Sequence, residues 1–324
     1  MWAYLVRRLL QIIPILIGVN IITFALFFFV NTPDNIANIH LGGKYVTQEA
    51  RDSWKHQHGY DLPLFFNVEA NGLDKVTQTI FFQKSAKLFI FEFGVSDTDR
   101  DIKQAIKERY LPSLLIAVPS FFLGLMLNIM VALILVFFKE TYLDAWGIFV
   151  CVVLISISSM FYIIFGQFLF AKVLRLVPIS GYADGWYAIK FLILPILVSL
   201  VAGLGPGARW YRAIFLEEYH KDYVRTARAK GLSDFLILFK HVLKNGMIPI
   251  LTSVVSVLPL LFMGSLLLES FFAVPGLGSY TMDAIHDQDF AIVRVMVFLG
   301  TVLYILGLLL TDISYTLVDP RVRF

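Results

Sequence analysis

Polar and apolar positions in this chain alternate on the scale of whole helices rather than of single turns. Six long apolar runs stand out, at Leu9–Val30, Leu111–Phe138, Gly147–Phe170, Ile189–Leu204, Met247–Phe271 and Ala291–Leu317. A helix that crosses a bilayer needs about 20 such residues. Five runs reach that length, and the fourth is short and carries Pro195. The pattern predicts an all-α polytopic membrane protein with six transmembrane helices. Three parts follow from it: residues 1–30 as tail and first helix, residues 31–110 as an inserted polar segment, and residues 111–324 as a five-helix core containing the polar loop 206–246. Within the inserted segment, Ile102–Tyr110 reads as a helix leading into the second span.

Composition agrees with this setting: 58% of residues are hydrophobic and 16% charged, against about 25% charged in soluble domains. A net charge of +3 without a basic–aromatic cluster argues against a nucleic-acid partner. The single cysteine, Cys151, falls inside a span and reads as a small buried apolar residue. Arg7-Arg8 precede an apolar stretch longer than the roughly 7–15 residues of a cleaved signal core, with no small-x-small site after it, so a retained first helix bent near Pro14 is expected. Lys and Arg concentrate at the N-terminus, in loop 206–246 and at Arg321 and Arg323, while 271–290 has none. By the positive-inside rule both termini and that loop face the cytoplasm and 31–110 lies outside. Lys172, Arg175 and Lys190 run against the rule.

Candidate chemistry is sparse. His56 and His58 have alternate spacing and no nearby cysteine, which fits a solvated loop or helix face better than a metal pair. Gly42-Gly43-Lys44 superficially resembles a phosphate loop, but Asn38 stands where the first glycine is needed and Tyr45 replaces Ser/Thr. The six histidines lie in loops or at membrane borders without a nucleophile beside them, so no catalytic residue is assigned. The span centres hold almost no ionisable groups, whereas ion-coupled carriers keep carboxylates or broken helices at midplane. An uncharged path rich in aromatics (30 Phe, 14 Tyr) is expected.

The most informative stretch is Asp222–Ser233, continuing to Asn245. Tyr223, Ala227 and Gly231 are four apart and form one small-residue stripe on a helix. Gly231 suits a helix stop, and Ser233-Asp234 suits the cap of a second helix with apolar positions Phe235, Leu236, Phe239, Val242 and Leu243. This cationic helix–glycine–helix module resembles the cytoplasmic coupling loop of permease subunits of ATP-driven (ABC) importers, in the dipeptide/oligopeptide form. Further segments fit the same family in order: Arg7-Arg8-Leu9-Leu10, Glu92-Phe93-Gly94, Leu176–Tyr182 with Leu192–Pro195, Leu268–Gly278, and Asp319–Arg323. There are departures. Arg225-Thr226-Ala227 stands for the general Glu-Ala-Ala, as is common in the peptide subclass. Ser156-Ile157-Ser158-Ser159 lacks a usual proline, so any bend there must come from the serines. Gly246 replaces an alanine and is expected to loosen the join to the fifth span.

The resemblance implies a type I importer permease in the bacterial inner membrane that is not an enzyme and binds no cofactor or metal itself. A homologous second permease would complete the peptide pathway, two cytoplasmic ATPases would bind ATP and Mg, and an external solute-binding protein would deliver substrate. Tyr223, Arg225, Thr226, Ala227, Arg228, Lys230, Gly231, Leu232, Ser233, His241, Leu243 and Asn245 would contact the ATPase, with Ala227 and Gly231 allowing close approach. Glu269, Pro275, Gly276 and Gly278 would form an external gate or binding-protein contact. A permease for another solute, such as a nickel chelate, or a membrane assembly factor without transport are the alternative readings.

Overall fold

Hydrocarbon offers a backbone no hydrogen-bond partner, so an apolar run long enough to cross it must close its bonds within a helix. The computed structural model describes residues 2–42, 46–183 and 185–318, so the Gly43–Tyr45 part of the glycine–lysine stretch and the Asp319–Arg323 ending lie outside the described residues. Five helices are long and apolar enough to span a membrane: Leu10–Val30, Ile102–Phe137, Gly185–Tyr219, Asp234–Phe271 and Phe290–Ser314. A further apolar pair, Tyr142–Ser156 and Ser159–Val173, meets at 90° and makes a sixth span if the two halves are counted as one. The chain divides into two compact units, Met1–Arg109 with Tyr280–Leu306 and Tyr110–Ser279 with Gly307–Arg323.

The first unit holds α1 (Trp2–Val30), α2 (Pro33–His40), α3 (Gln48–His58), α4 (Asp74–Thr77) and α5 (Ile80–Lys84), followed by a 3-10 turn at Ala86–Ile90. Helix α2 starts where Thr32 accepts from the Asn35 N–H, with Pro33 in the first turn. Helix α3 starts at a Thr47 cap and ends on Gly59, whose φ of 68° is left-handed. Phe24, Phe28, Ile36, Trp54, Tyr60, Ile80 and Phe290 form the core of this unit. Trp54 sits between rings, stacked on His58 at 4.2 Å and on Tyr60 at 5.5 Å. His56 and His58 have separate partners, the Asp61 carboxylate and the Trp54 carbonyl.

The second unit contains α6 (Ile102–Phe137, from Tyr110 onward), α7 (Tyr142–Ser156), α8 (Ser159–Gly166), α9 (Ala188–Tyr219), α10 (Asp222–Ala229), α11 (Asp234–Ile237), α12 (Leu243–Val257) and α13 (Leu266–Phe271). Helix α14 (Leu277–His286) and α15 (Phe290–Val318) each run through both units. Helix α6 starts at Ile102, as expected, and continues straight into the span. Small residues let these helices approach closely, which in lipid replaces the hydrophobic drive that water supplies. A Cβ on Gly205 would lie 2.7 Å from the Cys151 carbonyl, and one on Gly166 would lie 2.7 Å from Val198. Cys151 is buried at this contact.

Several expectations are corrected. The fourth span is not short: α9 runs through Pro195 and Pro206 to Tyr219, so residues 206–219 of the expected loop are helix. Membrane helices tolerate proline where neighbours satisfy the freed backbone. The polar end of α9 is held by Arg212, which donates to both Asp144 oxygens at 2.9 and 2.7 Å. The third span is bent without the proline, and the serines make the bend, one of the two expected outcomes. Ile157 is extended (φ −90°, ψ 131°), and Ser158 caps α8 by accepting from the Phe161 N–H. Gly246 does not loosen its join: a Cβ there would lie 2.7 Å from the Phe215 ring. The glycine lets α12 lie against α9.

Candidate functional site

Helix α10 is short, and its C-terminal end is secured by local chemistry. At its C-terminus the Gly231 N–H reaches the Arg228 carbonyl at 2.9 Å and the Leu232 N–H the Ala227 carbonyl at 3.3 Å. These are the paired bonds of a Schellman stop, and Gly231 supplies the required left-handed φ of 79°. Ser233 then caps the next helix through the Leu236 N–H at 3.4 Å. From there α11, a π-helical stretch at Leu238–Val242 and α12 run on without a break into the fifth span.

Burial sorts the expected ATPase-contacting residues into two groups. Val224 and Ala227 face inward, in a core with Phe215, Ile237, Leu238 and Val242, against which Tyr223, Leu232 and Leu243 also pack. Ala227 therefore serves packing within the chain and not close approach by a partner. Arg225, Thr226, Arg228, Ala229, Lys230, Gly231 and Ser233 are exposed. Nothing lies within 4 Å of a Cβ built on Gly231, so its face is open. The outward surface is cationic, though Arg228 is committed to Asp234 at 2.9 Å and to the Tyr219 hydroxyl. The buried Glu218 carboxylate accepts from Tyr223 at 2.7 Å and from Lys221. Burial pushes the Tyr223 phenol up to about 12, against the opposing effect of its bond with the Asn245 amide. Tyr223 and Asn245 thus tie α10 to the foot of the fifth span. His241 lies half-buried in the π-helical stretch. Phe235, Leu236 and Phe239 are exposed rather than inward-facing. Val242 and Leu243 pack inward as expected, and Ile237 and Leu238 take the other inward positions. Phe235 and Phe239 line an apolar groove with Met130, Ile134 and Phe137.

The second constellation gathers around Glu269. The fifth span is interrupted at Gly264 (φ 68°, ψ −165°), a backbone region open essentially to glycine alone. Ser265 caps the short α13, and Glu269 folds back so that its oxygens accept from the N–H groups of Ser265 (3.1 Å), Gly278 (2.7 Å) and Ser279 (3.1 Å). Ser113 on α6 adds an acceptor for the Leu277 N–H at 2.7 Å. Glu269 is 1% exposed, Gly276 and Gly278 are buried, and Pro275 is exposed. Any Cβ on Gly264 or Gly276 would run into the Glu269 carboxylate. The turn is thus stapled to the end of the fifth span by a buried carboxylate. Nearby, the Gln167 amide donates to the Phe271 carbonyl at 2.9 Å, and the Gly181 N–H reaches the Phe272 carbonyl at 2.8 Å.

Beside the staple lies a cavity of about 390 Å³ between α6, α9 and the fifth span. Ser113, Ala117, Ser120, Gly124 and Asn128 face it from α6, a small-residue stripe at three- and four-residue steps. The lining is small and aliphatic rather than rich in aromatics: Phe121 and Tyr211 are its aromatic members and Glu269 its carboxylate. Ser120 Oγ and Asn128 Oδ1 are buried there without a hydrogen-bond partner. The interruption at Gly264 and the Asp144–Arg212 pair were not anticipated. A lone glycine followed by a capping serine inside an apolar run was the available signal for the first.

A multi-pass helical chain with a capped cationic element between its fourth and fifth spans has the build of a membrane permease component. The chain belongs to the family described as "Binding-protein-dependent transport system inner membrane component", whose model matches residues 109–324. The companion N-terminal model of such transport-system membrane components matches residues 1–112. Over its whole length the chain is 31% identical to a Brucella abortus protein, also covered in full, provisionally named a peptide transport system permease. It is 26% identical to the dipeptide permease of Alkalihalophilus pseudofirmus, with both chains fully covered. Identity to the glutathione permease of Shigella flexneri is 27%, over 99% of each chain.

Proposed function

We propose that this chain forms half of the membrane pathway of an ATP-driven peptide importer in a bacterial cytoplasmic membrane, with both termini inside. The carrying observation is the exposed cationic face of α10 and its packing against the foot of the fifth span, which borders the cavity. ATP and Mg would bind two separate ATPase subunits docked on that face, around Arg225, Thr226, Lys230 and Gly231. A homologous second permease would close the other side of the cavity, and an extracytoplasmic binding protein would deliver peptide. Ser120 and Asn128 are placed to exchange hydrogen bonds with a passing backbone, and such groups read no particular side chain. The Glu269 turn acts as the rigid rim of the external gate, with Pro275 as its exposed point.

The peptide subclass rests on the relatives' names and on the Arg-Thr-Ala core. Co-expression with the neighbouring ATPase, permease and binding-protein genes tests the reading. Peptide-stimulated ATP hydrolysis by the purified complex, together with uptake of a labelled dipeptide or oligopeptide, is expected. Stimulation by a nickel chelate but by no peptide would replace the substrate class. Failure to retain any ATPase would overturn the transport reading.

A further inference from the structure

Arg294, at the start of the second turn of α15, is 4% exposed. Its Nε donates to the Phe290 carbonyl at 3.2 Å and its guanidinium lies 5.5 Å from the centre of the Phe28 ring. Nη1 has no hydrogen-bond partner. Among the described residues no carboxylate forms an ion pair with it within 4.0 Å. A buried cation without a counter-ion is costly, so such an arginine marks a place where an anion belongs.

The arginine opens onto a cavity of about 440 Å³ within the Met1–Arg109 and Tyr280–Leu306 unit. That volume falls in the range of small-molecule sites. Lys84, Lys87, His56 and His58 line it with Arg294, and Glu92 is the carboxylate in the lining. Lys84 is half-buried, with its ammonium 4.8 Å from the centre of the Tyr60 ring. Burial first, then the charges of Arg294 and Lys87, push this amine below the usual lysine range, while Asp97 and Asp289 pull it back. Those two carboxylates lie outside the lining, and each has one oxygen hydrogen-bonded and the other buried without a hydrogen-bond partner. Asp97 accepts from the Tyr60 hydroxyl at 2.7 Å and Asp289 from the Ile292 N–H at 3.2 Å. The lining itself holds three cations, Arg294, Lys84 and Lys87, against one carboxylate, Glu92.

We propose that this cavity binds a small carboxylate anion, with the Arg294 fork as its principal ligand and Lys84 and Lys87 flanking it. A carboxylate matches the planar, paired donors of arginine. The anion has two sources, a free carboxylate or the C-terminus of a short peptide, and the probes separate them.

The full-length chain in lipid nanodiscs would be titrated at constant ionic strength with acetate, Ala-Ala, the Ala-Ala C-terminal amide and phosphate. Calorimetry and the thermal midpoint would be read in parallel. Saturable binding of acetate and Ala-Ala alike identifies a general carboxylate site. Binding of Ala-Ala without acetate identifies the peptide terminus, and in both cases the amide should fail. Arg294→Gln is expected to weaken binding about tenfold or more. Lys87→Gln, at an exposed position, is expected to weaken it by a smaller factor while leaving the unliganded midpoint unchanged. It decides the matter if the arginine variant does not fold. Three outcomes would overturn the assignment: no saturable binding of either carboxylate, equal binding of the amide or preference for phosphate, or unaltered affinity in Lys87→Gln together with any folded Arg294→Gln.

Discussion

Gly276 and Gly231 owe their glycine to different causes, and substitution separates them. At Gly276 the added Cβ meets the Glu269 carboxylate. Gly276→Ala should therefore cost about 1–3 kcal/mol, as overpacking does, and lower the thermal midpoint in nanodiscs. Gly18→Ala, where nothing lies within 4 Å, should leave it unchanged. At Gly231 space is free and only the backbone dihedral constrains. Asn tolerates that region where most residues lose about 1–2 kcal/mol. Gly231→Asn should keep both fold and ATPase co-purification. Gly231→Trp should keep insertion but lose the ATPases, and normal transport by that variant would remove this face from the proposed interface. The stop at Gly231 and the cap at Ser233 were legible because their partners lie within five residues. The Glu269 nest was not: its motif reads as a turn, but Ser113, which completes it, lies 164 residues from Leu277. Ala227 misled for a related reason, since spacing gives a stripe and not the direction it faces.

At the scale of elements, the break in the third span offers the cleanest test. Ser158 has φ −67° and the preceding Ile157 has ψ 131°, values that proline and its neighbour adopt unforced. Ser158→Pro gives up a side-chain cap worth about 0.5–2 kcal/mol and regains about 0.4–1 kcal/mol through a restricted unfolded chain. It should support near-normal uptake. Ser158→Leu loses the cap without that return and should show reduced protein levels and uptake. Reversal of this order would mean that the serine hydroxyl does more than end a helix. Six apolar runs were legible as spans because backbone bonding in lipid leaves few options. Their limits were not, because Pro195 and Pro206 look like breakers until neighbouring helices are in place, and the Arg212–Asp144 pair that settles the polar end of α9 is a tertiary contact.

At the scale of the whole molecule, the proposed orientation puts residues 31–110 outside the cell. A cysteine introduced at the exposed Asp74, in a Cys151→Ser background, should react with an impermeant maleimide in intact cells. Reaction only after permeabilisation would invert the topology. On the proposed function the effect of ATP hydrolysis has to cross from one face of the membrane to the other, and the helix that begins at the Ser233 cap would carry it. Thirty residues from Asp234 to Met263, α-helical apart from the π-helical stretch and a closing 3-10 segment, make a helix about 45 Å long at about 1.5 Å per residue. A tilt of about 5° at its foot displaces its head by about 4 Å, close to the width of an extended peptide backbone. Gly264 would then serve as a coupling joint: on that reading the helix swings beside the cavity while the Glu269 turn keeps its shape, and leverage alone would widen or narrow the passage without any charge moving through the membrane.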